Sequence, residues 1–175
     1  MKFHPNCNYV FTGSSDKSIR MWDIHKGNCV RLFTGHLRGI TSLAVSSNGR
    51  LLASGGKIST ILIMFLFIVI DMSGSIKIWD IAEGKLFKTF SGDSTSASKY
   101  ASIYALSFCQ DAKILASCSS DNTVKIWDVQ KPASLVNVQA SEEPVATFHT
   151  KQTPLMTARF TPRNVLSVIG AFATE

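Results

Sequence analysis

Three short segments of this chain end in Trp-Asp and share the same alternation of apolar and polar residues. Their tryptophans are Trp22, Trp79 and Trp127. Repetition at a regular interval is typical of proteins built from copies of one structural unit, so it constrains the architecture more than any other feature. The tryptophans are 57 and 48 residues apart, and the first interval becomes 42 when residues 58–72 are left out. A period of about 40–45 residues is typical of a four-stranded repeat unit.

Each unit contains signals for four short strands. Residues 40–45 and 51–54 flank Ser47-Asn48-Gly49, and Asn-Gly between two apolar runs predicts a β-hairpin. A Trp-Asp strand follows, and residues 86–90 alternate as a fourth strand should. The other strands are predicted at residues 9–12, 18–23, 28–33, 102–108, 113–117, 123–128, 145–148, 155–161 and 164–172. The sequence therefore predicts an all-β fold of about three four-stranded units plus two terminal strands, opening and closing in the middle of a unit.

Composition limits the functional classes. An apolar content of 45% is enough for a sizeable core, and the net charge of +6 comes from scattered basic residues rather than from runs. The first residues include no apolar stretch of the kind a secretory signal needs, so we expect an intracellular protein. No two cysteines have metal-ligand spacing, and we expect all four to be reduced, small core residues: Cys7, Cys29, Cys109 and Cys118.

The order of Phe33-Thr34-Gly35-His36, the turn Ser15-Asp16-Lys17 and the Trp22-Asp23 strand resembles that of a WD40 repeat. The resemblance implies a partial WD40 β-propeller, with blades at about residues 1–35, 36–91 and 92–149 and a partial blade at 150–175. It also implies a structural tetrad of His, Ser or Thr, Asp and Trp within each blade, joined by hydrogen bonds. The candidate members are Thr12, Asp16, Trp22, His36, Ser54, Trp79, Ser117, Asp121 and Trp127.

No unit carries all four tetrad residues. Ser73 stands where the second unit should have its aspartate, and Gly92-Asp93 replaces Gly-His in the third. The histidine of the first unit would lie upstream of Met1.

Residues 58–72 form an anomalous apolar insertion. Ten consecutive apolar residues, 61–70, are too few for the roughly 17–25 that cross a bilayer as a helix. A buried strand that lengthens the blade is one interpretation. We favour a retained intron or an error in the gene structure, because every residue from 61 to 70 has T at its second codon position. In the mature protein, such a segment would favour aggregation.

The sequence offers no catalytic residue, metal site or cofactor site. Gly55-Gly56-Lys57 lacks the first glycine and the Ser/Thr of a phosphate loop, and the four histidines are widely spaced. We therefore expect a protein that is not an enzyme and has no small-molecule substrate. Antiparallel strands alternate in direction. In every unit, the loop before the first strand and the loop between the second and third strands therefore lie on the same face of the fold. A candidate partner-facing rim on that face consists of Lys17, Arg38, Lys57, Lys99 and Asn122, facing acidic peptides or DNA phosphate.

The segment from Gly27 to His36 and the tail from Thr150 to Asn164 resemble the C-terminal propeller of the WD40-repeat TBP-associated factors, the subunit 5 family of TFIID. This resemblance implies a nuclear scaffold, in TFIID and possibly a SAGA-type coactivator, that docks histone-fold TBP-associated factors. It also implies a C-terminal fragment that lacks about four blades. Because exposed strand edges at its two ends invite pairing with other chains, we expect this fragment to be poorly soluble alone. Two alternatives stay open: a WD40 adaptor of another complex, such as a ubiquitin-ligase substrate receptor, and a membrane-associated chain that uses residues 61–70.

Overall fold

The structure is a computed structural model that describes residues 1–56, 75–90, 101–130, 143–150, 153 and 155–171. Every regular element in this part of the chain is a β-strand. The strands are β1 (Lys2–Phe3), β2 (Tyr9–Gly13), β3 (Ile19–Asp23), β4 (Cys29–Phe33), β5 (Ile40–Val45), β6 (Leu51–Gly56), β7 (Ile76–Asp80), β8 (Leu86–Phe90), β9 (Ile103–Phe108), β10 (Ile114–Ser119), β11 (Thr123–Asp128), β12 (Ala146–His149), β13 (Leu155–Phe160) and β14 (Leu166–Gly170).

The strands form three four-stranded antiparallel sheets and one two-stranded hairpin. We call them the first sheet (β1–β4), the second sheet (β5–β8), the third sheet (β9–β12) and the terminal hairpin (β13–β14). Within each sheet the strands follow their order along the chain. The predicted fold class, an all-β partial propeller with three four-stranded units and two terminal strands, is confirmed. The insertion at residues 58–72 and Gly92-Asp93 lie outside the described residues.

The aspartate of each Trp-Asp pair organises the turn that follows the third strand. Asp23 Oδ1 accepts hydrogen bonds from the backbone amides of His25 (2.9 Å) and Lys26 (3.0 Å). In the second sheet Asp80 Oδ1 likewise accepts from the amide of Glu83, at 2.9 Å. The Lys26 amide contributes most to lowering the pKa of the Asp23 carboxyl. The Trp-Asp signature is thus partly a turn signal, because a short carboxylate can satisfy the amides of a tight turn.

Neighbouring sheets pack through an aromatic pair. Phe33 at the end of β4 contacts Trp79 of the second sheet, with ring centroids 5.7 Å apart. Phe90 at the end of β8 contacts Trp127 of the third sheet at 5.0 Å. All four side chains are at most 3% exposed. The core therefore lies between sheets, and each sheet depends on its neighbour for burial.

A glycine allows the second and third sheets to approach closely. A Cβ on Gly55 would lie 2.6 Å from Cγ2 of Ile103, and one on Gly13 would lie 2.6 Å from Cγ2 of Ile40. At the corresponding place in β10, Cys118 is fully buried in a cluster with Leu155. Gly13, Gly55 and Cys118 each follow the hydroxyl residue that is a candidate tetrad member. A small residue at this position makes room for the first strand of the next unit.

The prediction that all four cysteines fill the core is wrong for two of them. Cys109 and Cys118 are buried, and burial raises the pKa of the Cys118 thiol to about 11. Cys7 lies in the β1–β2 turn and Cys29 begins the outer strand β4, and both are exposed free thiols. A residue on the outer strand of a sheet has fewer neighbouring strands to cover its side chain than one on an inner strand. The local sequence pattern does not reveal which strand of the sheet will be the outer one.

Candidate functional site

A buried polar cluster lies where β6 and β7 meet the segment before β5. Ser54 Oγ lies 2.6 Å from Nε2 of His36 and accepts a 2.8 Å hydrogen bond from the indole N–H of Trp79. Ser54 is fully buried, and His36 and Trp79 are 6% and 3% exposed. One hydroxyl therefore joins the imidazole and the indole away from solvent, as expected of a group that stabilises a fold rather than one that meets a substrate.

The tryptophans of the other two sheets also donate to a hydroxyl. The Trp22 indole N–H donates to Thr12 Oγ1, and that of Trp127 donates to Ser117 Oγ, both at 2.8 Å. Both contacts follow from the β2–β3 and β10–β11 ladders, which bring each Trp-bearing strand alongside the strand that carries the hydroxyl.

The structure places the two candidate aspartates in separate contacts. Asp16 Oδ1 accepts a 2.6 Å hydrogen bond from the Ser18 hydroxyl, and Asp16 Oδ2 pairs with Arg20 at 2.8 Å. These donors, Ser18 first, hold the pKa of the Asp16 carboxyl far below its ordinary value. Asp121 Oδ1 similarly accepts from the Thr123 hydroxyl at 2.6 Å. In the described part of the chain neither aspartate bonds to a Trp–hydroxyl pair, so each organises its own turn.

Burial controls the protonation of His36. It lowers the pKa of the imidazole to about 4, and the positive charge of Lys77 adds to the effect. The unfolded chain should therefore take up a proton near pH 6.5, while the folded protein resists protonation until about pH 4. Stability that is present above pH 6.5 is lost as the pH falls through this window.

We expect the free energy of unfolding to fall by about 2 kcal/mol between pH 7 and pH 5 because of His36. Urea titrations at several pH values measure this slope. The variant His36→Gln should reduce the slope, whereas His149→Gln, which changes an exposed histidine on β12, should leave it unchanged. Equal slopes in the original protein and His36→Gln would contradict the assignment.

Three of the five candidate rim residues lie in the described part of the chain, and Lys57 and Lys99 fall outside it. Lys17 and Asn122 occupy corresponding positions in the β2–β3 and β10–β11 turns, with positive φ angles of 72° and 62°. Arg38 precedes β5 in a loop held beside the β2–β3 turn by a 3.0 Å bond from the Ile40 amide to the Ser14 carbonyl. Lys17 is exposed, and Arg38 and Asn122 are half-buried.

Cationic side chains on the outer strands make contacts that we did not predict. Arg31 on β4 donates to the carbonyls of Ile81 and, at 2.6 Å, Ala82 in the second sheet. Lys88 on β8 donates to the carbonyl of Asp128 in the third sheet, at 3.1 Å. Each cation lies two residues before the phenylalanine that covers the next sheet's tryptophan. This shared spacing is a signal that could have identified them.

A groove of about 620 Å³ crosses the first strands of the sheets and the terminal hairpin. Its ionisable side chains include Lys2, Tyr104 and Arg159, and none of the described residues that line it carries a carboxylate side chain. Among the described residues, no group of three or more His, Cys, Asp or Glu side chains could hold a metal ion. Within the same residues, no helix is long and apolar enough to span a bilayer. The described lining of this groove is thus a basic concave surface that contains no acid–base pair.

Comparison with known proteins places these features in a family. The sequence profile of the WD domain, G-beta repeat, matches residues 1–23, 27–80 and 84–128, which is more than half of the chain. The chain belongs to the WD-repeat family. WD-repeat domains act in protein–protein interaction, which agrees with polar clusters that are buried and loops that are exposed.

Several WD-repeat proteins are similar to this chain. Transcription initiation factor TFIID subunit 5 of Caenorhabditis elegans is 25% identical over 97% of the chain and 25% of its own length. The small ribosomal subunit protein RACK1y of Oryza sativa subsp. japonica is 31% identical over 74% of the chain and 32% of its own length. The WD repeat-containing protein SL1-17 of Schistosoma mansoni is 30% identical over 71% of the chain and 35% of its own length. The chain thus spans about a quarter to a third of these relatives.

Proposed function

We propose that this WD-repeat chain is a non-enzymatic protein-interaction scaffold of TFIID that acts in the nucleus and holds other TBP-associated factors. The observation that carries the proposal is the extent of the similarity. The alignment with the TFIID subunit covers 97% of the chain, whereas those with the rice and Schistosoma proteins stop at 74% and 71%. The alignment with the TFIID subunit therefore includes the terminal hairpin. This similarity extends beyond the Trp-Asp units that all these relatives share.

The geometry supports a scaffold in two ways. Serine and histidine often act in catalysis, but Ser54 and His36 are buried and bonded to each other. Their contact therefore stabilises the fold. The β2–β3 loop is held between two paired strands and places Lys17 toward solvent, with the half-buried Arg38 in the neighbouring loop. Loops held on a rigid framework are the usual location of binding residues.

An adaptor of another complex, such as a ubiquitin ligase, is the second candidate. The higher identity of the rice protein favours it, because that relative is not named as a transcription factor. In this alternative the same rim would hold a different partner.

Purification of the protein from cells, tagged at its own gene, distinguishes the two candidates. We expect mass spectrometry to identify several TBP-associated factors in the purified complex. The double variant Lys17→Glu/Arg38→Glu should reduce their recovery several-fold, because it replaces two of the rim's four positive charges by negative ones. Recovery of ubiquitin-ligase subunits without TBP-associated factors would contradict the TFIID proposal.

A matched control reverses the same charge elsewhere. Lys26 lies in the β3–β4 turn and Lys113 in the β9–β10 turn, and both side chains are exposed. Consecutive turns of an antiparallel sheet lie at opposite ends, so these turns are remote from Lys17. The variant Lys26→Glu/Lys113→Glu should leave the recovered complex unchanged. Equal losses in the two double variants would show that net charge, and not the rim, controls assembly.

A further inference from the structure

A cleft of about 370 Å³ lies between the first and second sheets, at the end opposite the rim. We call it the first cleft. It lies where the turn after β1, the β5–β6 turn and the residues after β7 meet β4. Both sheets have four strands and share one hydrophobic cluster. The first cleft is therefore not the uncovered edge or face of a sheet, and it lies between two sheets that already pack on each other.

Part of the lining of the first cleft is apolar. Met21 and Ile81 are 8% and 6% exposed, and Val30 on β4, which also lines the cleft, is 45% exposed. An occupant that buries an apolar side chain against these residues gains hydrophobic free energy. A polypeptide can supply such a side chain, whereas the phosphate backbone of a nucleic acid cannot.

The charged part of the lining is basic. It includes His4, Arg31 and Arg50, and none of the described residues that line the first cleft carries a carboxylate side chain. Arg31 donates through Nη1 to the carbonyls of Ile81 and Ala82, and the described residues provide no hydrogen-bond partner for its Nη2. The exposed side chain of Arg50 also has no recorded partner among these residues. Two guanidinium groups can thus donate to an anion in the cleft.

Contacts between the two sheets hold the first cleft in shape. His4 Nε2 lies 3.0 Å from the carbonyl oxygen of Gly49, the residue before Arg50 in the β5–β6 turn. A Cβ on Gly49 would lie 2.6 Å from this nitrogen, and one on Gly84 would lie 3.0 Å from Cδ of Arg31. The backbone at Arg50 and the side chain of Arg31 are therefore closely packed. A site that is formed before binding loses less conformational entropy when the ligand arrives.

A corresponding cleft of about 220 Å³ lies between the second and third sheets, and we call it the second cleft. The Ile81 amide donates to the Arg50 carbonyl at 2.9 Å, and the Val129 amide donates to the Lys113 carbonyl at 2.8 Å. Lys113 therefore has the same position in the β9–β10 turn that Arg50 has in the β5–β6 turn. The second cleft thus provides an internal comparison for the first.

The two clefts differ in charge and in size. Asp80 and Asp111 line the second cleft together with Arg50, so the chain itself provides carboxylates there. Phe87 has the position in the second cleft that the smaller Val30 has in the first. The first cleft is the larger one, and the described residues place no carboxylate in its lining. It therefore has both the space and the charge for an acidic ligand.

We propose that the first cleft binds an acidic segment of a partner protein. The carboxylates of the segment bind the two arginines, and an apolar side chain between them packs on Met21 and Ile81. The basic lining selects an anion, and the apolar lining selects a polypeptide over a nucleic acid. This site is separate from the rim, and its ligand class does not depend on which complex contains the protein.

The charge distribution of the chain favours a partner as the source of the segment. Glu142 and Glu143 are the only two acidic residues that are adjacent in the sequence. Glu143 lies two residues before Val145, whose amide donates to the Ile126 carbonyl of the third sheet at 2.7 Å. The second sheet separates this position from the first cleft. A second copy of the chain is also disfavoured, because each copy has a net charge of +6.

The first test measures the fluorescence anisotropy of a fluorescein-labelled peptide of glutamates around one central leucine, titrated with the 175-residue chain. We expect saturable binding. The variant Arg50→Gln should weaken it about fivefold, because a charge that faces the ligand is lost. Lys113→Gln removes a positive charge at the corresponding position of the third sheet and should leave binding unchanged. Equal effects of the two variants would overturn the proposal.

A second pair of variants tests the cleft itself. Val30→Glu places a carboxylate in the first cleft, as the second cleft already has, and should weaken binding at least about tenfold. Leu32→Glu makes a similar change on the same strand, at a 52% exposed side chain that does not line the cleft, and should weaken binding less than about twofold. Circular dichroism and the melting temperature of each variant establish that it is folded. Similar losses in the two variants would contradict the assignment of the site.

Three further comparisons test the chemistry and the location. A peptide with glycine in place of the leucine should bind about tenfold more weakly, and an oligothymidylate of equal charge should bind more weakly than the original peptide. Lys17→Glu/Arg38→Glu should leave peptide binding unchanged, so a failure of this proposal is distinguishable from a failure of the TFIID proposal. Absence of saturable binding, no effect of the leucine, tighter binding of the oligothymidylate, or loss of binding in the rim variant would each overturn the inference.

Discussion

Replacing Trp127 by alanine is expected to lower the free energy of unfolding by about 3–5 kcal/mol, the largest effect of any single change that we predict. The side chain is 2% exposed, packs on Phe90 and donates to Ser117, so its removal leaves both a cavity and a buried hydroxyl without its donor. Urea denaturation followed by far-ultraviolet circular dichroism measures the change.

Trp22 provides the matched control. It has the same position in the first sheet and the same hydrogen bond to a hydroxyl, but its side chain is only partly buried. The variant Trp22→Ala should therefore lose clearly less stability than Trp127→Ala. Similar losses would show that the hydrogen bond, and not the packing between sheets, provides most of the stabilisation.

Replacing Ser54 by alanine should cost about 2–4 kcal/mol, because two buried groups lose their common partner. The Trp79 indole N–H would have no acceptor, and Nε2 of His36 would lose its 2.6 Å contact. The loss is measured by the same urea titration at pH 7, where His36 is neutral.

Ser117→Ala is the control for this prediction. Ser117 is 2% exposed and accepts from Trp127, and no histidine contact is recorded for it among the described residues. The change removes one buried partner instead of two, so its cost should be about half that of Ser54→Ala. Equal costs would contradict the view that His36 depends on Ser54.

Much of the fold follows from local pattern. Strand alternation and the Asn48-Gly49 turn predict β5–β8 closely, and β5 and β8 have the predicted bounds. β6 is longer than predicted, because it continues through Gly55 and Gly56 to pair with β7. Glycine is a poor strand residue by propensity, but at Gly55 the close approach of Ile103 excludes any side chain.

The contacts between sheets could not be predicted in the same way. Arg31 reaches the carbonyls of Ile81 and Ala82 fifty residues further along the chain, and this requires the relative placement of two sheets. The bonds of Asp16 with Ser18 and Arg20 are local in sequence. They were not predicted, because the resemblance to WD40 repeats implied that Asp16 bonds within the structural tetrad. Spacing along the sequence identifies residue types, while the three-dimensional arrangement decides which donors an aspartate meets.

The partial exposure of Trp22 gives the molecule an internal optical reporter. Trp79 and Trp127 are shielded from water, so their emission should be insensitive to what happens at the surface. Trp22 lies on a face whose neighbours Phe3 and Leu32 are 59% and 52% exposed. A blue shift of its fluorescence would therefore signal that another protein, or another sheet, has covered the first sheet.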